Sequence, residues 1–375
     1  MTNGIQELEY KDFSRRVWDL SAEGPRLTRA EFEITYRCNI HCVHCYTDPF
    51  NTPAHLRREL PPDEILRILD ELAEAGVLWL LLTGGEAFVH PHFREIYKEA
   101  KARGFIVSIF SNGTTLTEDL ARFLENDPPF QLELSCHGAS PEIFDRVAQV
   151  PGSFKRFLEG IRRILAHGLP LRIKTKAMTI NRHELSEIKT LVESFGLDFS
   201  LSTVIHPRLD GDLSSTDYRI SPEEIIEIEL GSAFDSFEEE EESCGTEKAS
   251  AAFSPSLTPP PDDRLFRCGC GTNTVKINPY GILRACTFTT WPSYDLRSMS
   301  VREAFERLVE EIHNARYTGD SPCRVCPVHR FCDKHPVMAL YEAGSMEAPV
   351  PHFCETAFGK AAKLTGENLF HGTPI

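Results

Sequence analysis

The sequence contains no apolar run near the roughly 18 to 20 residues of a membrane span, so a membrane-spanning role is not expected. Residues 1–20, MTNGIQELEYKDFSRRVWDL, are charged throughout, with no apolar core and no cleavage-site pattern, and are not read as a signal peptide. Positive charge is also in deficit. Lysine and arginine number 40 against 56 acidic residues, for a formal net charge of −16. That balance argues against a nucleic-acid backbone or an anionic membrane surface as partner. The expected location is the cytoplasm.

Among what is present, the 375 residues exceed the length at which one core usually stops growing, so two domains are expected. Apolar residues form 41% of the chain, enough for packed globular structure. Twelve cysteines in a reducing compartment point to metal binding or redox work rather than disulfides. Two isolated ones, Cys136 and Cys244, read as small buried hydrophobes.

From about residue 32, short apolar runs alternate with amphipathic stretches. The runs are FEITYR (32–37), VLWLLLT (77–83), FIVSIFS (105–111), FQLELSC (130–136), LRIKTKAM (171–178) and LDFSLSTVI (197–205). In PPDEILRILDELAEAG (61–76), Ile65, Ile68, Leu69 and Leu72 recur at helical spacing, with prolines at the start and Gly76 at the stop. Comparable helices are expected over 91–103, 117–125, 153–167 and 182–194. Six strand–helix units imply a parallel sheet, either a partial barrel or an open doubly wound sheet. In both, ligands gather at the C-terminal ends of the strands.

The alternation stops near residue 210. SPEEIIEIELGSAFDSFEEEEESC begins as an acidic helix and runs into five consecutive glutamates, a solvated face or a docking site for a basic peptide. ASAAFSPSLTPPPDD then reads as a linker or surface loop. Beyond residue 265 the chain is rich in cysteine and shows few regular runs, as in a small domain stapled by metal.

Two short segments carry chemistry. YRCNIHCVHCYT (36–47), just past the first strand, places Cys38, Cys42 and Cys45 in a CxxxCxxC spacing. Three thiolates without a fourth nearby leave one coordination position open, although His41 and His44 would also serve zinc. LLLTGGEAF (80–88) puts Gly84 and Gly85 at the end of the second strand, where a ligand can approach bare backbone, and Glu86 adds an acceptor suited to a cationic amine.

In this order, over roughly residues 30 to 205, the two segments resemble the radical S-adenosylmethionine superfamily. FSNGT (110–114) and LELSCHG (132–138) resemble that family's third- and fourth-strand segments. The resemblance implies an α/β fold, a partial (β/α)6 TIM-like barrel over residues 29–210, after an N-terminal segment, residues 1–28. It implies a [4Fe–4S] cluster on Cys38, Cys42 and Cys45, whose remaining iron is chelated by S-adenosylmethionine. One-electron cleavage of that cosubstrate would give a 5′-deoxyadenosyl radical that abstracts substrate hydrogen, with a flavodoxin or ferredoxin as low-potential electron donor. His44 and Tyr46 fall where adenine contacts are expected. Gly84, Gly85 and Glu86 would face the methionine amine, Asn112 would also contact the cofactor, Ser135 the ribose, and Lys174 the carboxylate. Arg146 is a looser match for the carboxylate.

The remaining cysteines read either as a zinc ribbon or, by their order, as similar to a SPASM domain, a module carrying auxiliary clusters (265–375, after an acidic and Pro/Ser-rich segment, 211–264). That resemblance implies one auxiliary [4Fe–4S] cluster on Cys323, Cys326, Cys332 and Cys354, and another on Cys268, Cys270 and Cys286. The pattern departs in two places. Cys268 and Cys270 stand unusually close, and the cysteine expected after Cys332 is absent, which leaves His335 as the nearest replacement ligand.

The expected activity is radical maturation of a ribosomal peptide or protein, by crosslinking, thioether formation, epimerisation or a similar change. The alternatives are the same chemistry on a small molecule or cofactor precursor, and a non-catalytic zinc-binding scaffold. Residues 1–28 are too short for a leader-binding domain, so a leader is expected to be presented by a separate protein or bound at the acidic surface.

Overall fold

Alternation of apolar and polar side chains decides which way each strand faces. In the first strand Ala30, Phe32 and Ile34 enter the hydrophobic core, which sends Glu31 and Glu33 to the opposite face. The computed structural model describes residues 9–22, 24–231, 257, 260, 262–267, 269 and 271–366. Helix α1 (Tyr10–Ala22) lies at the N-terminal ends of the strands. There Trp79 Nε1 donates to the Tyr10 hydroxyl at 2.9 Å and Phe13 packs on the same indole.

Six parallel strands follow: β1 (Arg29–Thr35), β2 (Trp79–Gly84), β3 (Ile106–Ser111), β4 (Gln131–Ser135), β5 (Leu171–Lys176) and β6 (Phe199–Ser202). The helices between them are α2 (Pro53–Leu56), α3 (Pro62–Ala75), α4 (Phe93–Ala102), α5 (Glu118–Glu125), α6 (Pro141–Ala148), α7 (Ser153–Ala166) and α8 (Leu185–Ser194). The expected strands and helices are therefore present, with bounds moved by a few residues. Helix α3 buries Ile65, Ile68, Leu69 and Leu72 and ends at Gly76, whose φ of 97° suits glycine. The order β6-β5-β4-β3-β2-β1 contains no reversal of winding. Right-handed crossovers then put every helix on one face, and the sheet curls as an incomplete barrel rather than a doubly wound sheet.

After β6, helix α9 (Pro222–Leu230) starts with a capping box between Ser221 and Glu224, as its acidic sequence implies. The run of five glutamates lies outside the described residues, as does most of the Pro/Ser-rich stretch. The C-terminal region begins by extending the barrel. Strand β7 (Thr274–Ile277) pairs in parallel with β1, and antiparallel β8 (Ile282–Arg284) and β9 (Ser293–Asp295) bring the sheet to nine strands.

The expectation of few regular runs beyond residue 265 does not hold, because α10 (Val301–Asn314), α11 (Pro336–Ala343) and α12 (Pro351–Thr365) are formed there. Helix α10 is capped by Ser300 and buries Val301, Ala304, Phe305, Leu308 and Ile312. The Glu71 carboxylate of α3 accepts the Val301 N–H at 2.8 Å, joining α10 to the barrel. Lys360 of α12, 6% exposed, pairs with Glu229 of α9 at 2.6 Å and with Asp333 at 2.9 Å. No helix among the described residues is long and apolar enough to cross a membrane.

Candidate functional site

The loop after β1 is held from three sides by backbone hydrogen bonds. Gly85 N–H donates to the Thr35 carbonyl and Glu86 N–H to the Arg37 carbonyl, each at 2.8 Å. From the opposite side, the N–H groups of His41 and Val43 donate to the carbonyls of Ala148 and Val147 at the end of α6. Asn51 Nδ2 donates to the Cys38 carbonyl at 2.9 Å.

This packing explains the two glycines. A Cβ at Gly85 would stand 2.6 Å from the carbonyl oxygens of Arg37 and Tyr36, and one at Gly84 (φ +141°) would collide with the Thr35 carbonyl. The space expected for a ligand is thus occupied, on the Cβ side, by the backbone of the cysteine loop. Glu86 is likewise engaged within the protein. Its buried carboxylate accepts the N–H groups of Asn112 at 2.7 Å and Phe88 at 3.1 Å, and the Ser111 hydroxyl at 3.2 Å. Burial pushes its pKa up to about 7, partly offset by those hydrogen bonds.

The structure brings Cys38, Cys42 and Cys45 together, each with a polar neighbour. Asn112 Nδ2 lies 3.8 Å from Cys38 Sγ, His137 Nε2 lies 3.4 Å from Cys42 Sγ, and the Thr47 hydroxyl lies 3.4 Å from Cys45 Sγ. Burial pushes the Cys38 thiol up to about 12, and Glu86 and Cys45 add to it. The Cys42 thiol is raised well above its usual value by burial and by the other two thiols, and Cys45 is raised by burial. Such thiols become thiolates only beside strong positive charge, which a metal cluster supplies. Among the described residues, no three His, Cys, Asp or Glu side chains are grouped to hold one metal ion. Three thiols that act on one another at the end of β1 are the kind of donor set a multi-iron cluster takes, one sulfur to each of three irons.

A second network fixes this arrangement. Asn112 Nδ2 donates to Asn39 Oδ1 at 2.9 Å, Asn39 Nδ2 donates to the Thr114 hydroxyl at 2.7 Å, and the Thr114 N–H returns to Asn112 Oδ1 at 2.9 Å. Asn112 therefore touches the cysteine loop itself. His44 is packed edge-on against His137 at 5.4 Å, and burial holds it neutral. Ser135 and Lys174 are register partners on β4 and β5. Lys174 is ion-paired with Glu133 and sits 3.1 Å over the Phe110 ring, while Lys176, two residues nearer the strand end, donates to the Ser202 hydroxyl at 2.7 Å. Arg146 is exposed on α6.

Sequence reasoning missed His137, Asn39 and Lys176. His137 lay within the quoted LELSCHG, but nothing local marks its approach to a thiol 95 positions away. It also missed the group around Glu33. This carboxyl is 5% exposed and takes hydrogen bonding from Tyr46 and Tyr36, with Arg284 of β8 acting on it electrostatically. Tyr46 packs against Phe288 at 5.0 Å, so it faces the C-terminal strands as well as the cysteine loop.

In the C-terminal region Cys323, Cys326, Cys332 and Cys354 converge. Cys354 is raised by burial and by Cys323 and Cys326, and Cys332 is raised to about 12 by burial, with Asp333 and Cys354 adding to it. Lys334 Nζ donates to Cys323 Sγ at 3.4 Å and to the Ala348 carbonyl at 3.0 Å. Cys286 acts electrostatically on Tyr46 and Lys276, on the barrel side. Cys268, Cys270 and Cys244 lie outside the described residues. His335 precedes α11, and its ring centre is 6.5 Å from that of His206, which stacks on Phe288 at 3.8 Å. Cys136 is buried in the core, as expected, and all nine described cysteines are free.

The model of the radical SAM superfamily matches residues 32–195. An AdoMet-dependent heme synthase of Methanosarcina barkeri is 33% identical, over 46% of this chain and 48% of the relative. The antilisterial bacteriocin subtilosin biosynthesis protein AlbA of Bacillus subtilis is 25% identical, over 71% of this chain and 56% of the relative. The chain thus spans about half the length of these curated relatives. The crystal structure of Streptococcus suis SuiB bound to the precursor peptide SuiA shares the fold, with a TM-score of 0.62 at 14% identity, covering 93% of this chain and 82% of SuiB. The family match and the three-thiol loop fall on the same stretch of the same parallel sheet, so over residues 32–195 this chain is similar to the radical SAM superfamily.

Proposed function

We propose that this protein is a SPASM-type maturase that modifies a ribosomal peptide or protein after hydrogen abstraction. The observation that carries the reading is the presence, in one chain, of two converged thiol groups, one past β1 and one around α11 and α12. Similarity to AlbA, which extends past the barrel to 71% of the chain, supports a peptide substrate.

The similarity of residues 32–195 to the superfamily implies a [4Fe–4S] cluster with S-adenosylmethionine. When bound, that pair supplies one-electron cleavage of the sulfonium and abstraction of a substrate hydrogen atom. Cys38, Cys42 and Cys45 would hold it, while Asn112, His137 and Thr47 orient the three sulfurs. Tyr46, His44, Gly84, Gly85, Glu86, Ser135 and Lys174 remain the candidate surroundings of the cosubstrate, with Glu86 and Lys174 acting through the partners described above. The buried barrel wall excludes water from the reacting groups.

Cys323, Cys326, Cys332 and Cys354 would hold one auxiliary [4Fe–4S] cluster. Cys286, with Cys268, Cys270 and His335, would hold a second. A flavodoxin or ferredoxin would supply electrons in the cytoplasm, and a separate protein would present any leader. The similarity to a heme synthase favours a second reading, in which the substrate is a small molecule or cofactor precursor.

The test uses protein reconstituted without oxygen, as wild type and as a Cys38/Cys42/Cys45→Ala variant. About twelve irons in the wild type, about eight in the variant, and 5′-deoxyadenosine from the wild type alone are expected for three four-iron clusters. Intact clusters without nucleoside would overturn the reading. An unchanged cluster spectrum in His335→Ala would remove that ligand.

A further inference from the structure

We propose that Lys334 raises the reduction potential of the auxiliary cluster on Cys323, Cys326, Cys332 and Cys354, and so sets that cluster as an electron acceptor. This rests on the reading of those four cysteines as cluster ligands.

Two contacts hold the Lys334 ammonium. Nζ donates to Cys323 Sγ at 3.4 Å and to the Ala348 carbonyl at 3.0 Å. The carbonyl pins the end of a flexible side chain, which would otherwise lose its place beside the sulfur to rotamer freedom. Among the described residues, no carboxylate is ion-paired with Lys334. Asp333, its neighbour in sequence, pairs instead with Lys360 at 2.9 Å. The Lys334 charge is therefore left to the sulfurs. It also acts on Cys326, Cys332 and Cys354, favouring the thiolate at each. One cation thus serves all four ligands, by a hydrogen bond at one and through space at three. Arg267 is a second cation acting on Cys326, but its guanidinium donates to the Cys323 and Arg324 carbonyls, at 3.1 and 3.2 Å, rather than to a sulfur.

The sign of the effect follows from charge. One-electron reduction adds negative charge to a group already ligated by thiolates. A fixed ammonium favours the more negative form, and an N–H bonded to sulfur draws electron density from it. Both shift the potential upward, since net charge and hydrogen bonds to the sulfurs are among the things that set it.

The test is a redox titration of the reconstituted full chain, followed by electron paramagnetic resonance. The signal to follow is the one that Cys323→Ala removes, together with about four irons. Lys334→Met, which is neutral and donates nothing, should make one-electron reduction of that cluster about tenfold less favourable, a fall of about 59 mV. Lys334→Gln, which keeps an N–H donor without the charge, should fall between. Lys334→Arg, which keeps both, should stay near the wild type. The signal lost in the Cys38/Cys42/Cys45→Ala variant should keep its potential throughout. A lysine that only holds the loop would change iron retention and leave the potential alone. Should Lys334→Met lose iron, Lys334→Gln carries the same comparison. An unchanged or raised potential at full iron content, or an equal shift in the barrel-loop signal, would overturn the inference and leave the cluster reading standing. Full iron and every signal retained in Cys323→Ala would sink the cluster reading, and this inference with it.

Discussion

The backbone N–H of Asn112 donates to the Glu86 carboxylate at 2.7 Å, while the Asn112 side chain reaches 3.8 Å from Cys38 Sγ. One residue at the end of β3 therefore ties the turn after β2 to the first thiol of the cysteine loop. Without Glu86, the N–H groups of Asn112 and Phe88 and the Ser111 hydroxyl would lose their acceptor in a buried place. Glu86→Ala is expected to lower stability by about 2–4 kcal/mol, more than Glu86→Gln, which keeps one acceptor oxygen. Urea unfolding under reducing conditions measures both. Equal midpoints for the two variants would show that the hydrogen bonds do not set the cost.

Gly84 and Gly85 meet the cysteine loop backbone to backbone, so added Cβ atoms push on carbonyls that have no flexible end to yield. Gly85→Ala should cost about 2–3 kcal/mol by overpacking and lower iron retention after reconstitution. Gly84→Ala adds the strain of φ +141° and should be the more severe of the two. Iron analysis of the soluble fraction, together with unfolding midpoints, would detect the reverse order.

Burial raises Glu33 to about 7 from an ordinary 4.5, against the lowering effects of Arg284, Tyr46 and Tyr36. The folded chain keeps a proton there that the unfolded chain releases at lower pH. The resulting stability is fully present below about pH 4.5 and is lost as pH rises through 7, a change on the order of 3 kcal/mol. Glu33→Gln should flatten that part of the stability–pH curve. Parallel curves for variant and parent would show that the carboxyl titrates alike in both states.

Lys360 is the buried cation between Glu229 and Asp333, and Asp333 directly follows Cys332. Lys360→Met leaves both carboxylates facing an apolar side chain, which is expected to cost about 3–5 kcal/mol. The loop of Cys332 should loosen with it, so the variant should retain fewer irons than wild type while still carrying those of the barrel loop. Iron counts after gel filtration decide this, and full retention would mean that the four cysteines hold their loop unaided.

Legibility in the sequence followed the range of each signal. The strands and helices of the barrel were readable because side-chain alternation and helical spacing are properties of consecutive residues, as in Ile65 to Leu72. Helix α10 carried the same kind of signal, with Ser300 ahead of Val301, Phe305, Leu308 and Ile312, and was overshadowed by the cysteines around it. Strands β7 to β9 are only three or four residues long, too short for alternation to declare them. Lys174 was placed on the right strand, but its pairing with Glu133 depends on the β4–β5 register.

The sequence by itself determined the three-thiol loop and its position after the first strand, because ligand spacing within a loop is set by the covalent chain. Only the tertiary structure decided which groups face those thiols. His137 meets Cys42, Asn112 meets Cys38, and Glu33 meets Tyr46 because neighbouring strands end at one level of a curled parallel sheet. The same packing laid β7 against β1 across more than two hundred intervening residues, setting Lys276 beside Glu31. Contacts of that separation depend on how whole faces pack, and no local periodicity records them.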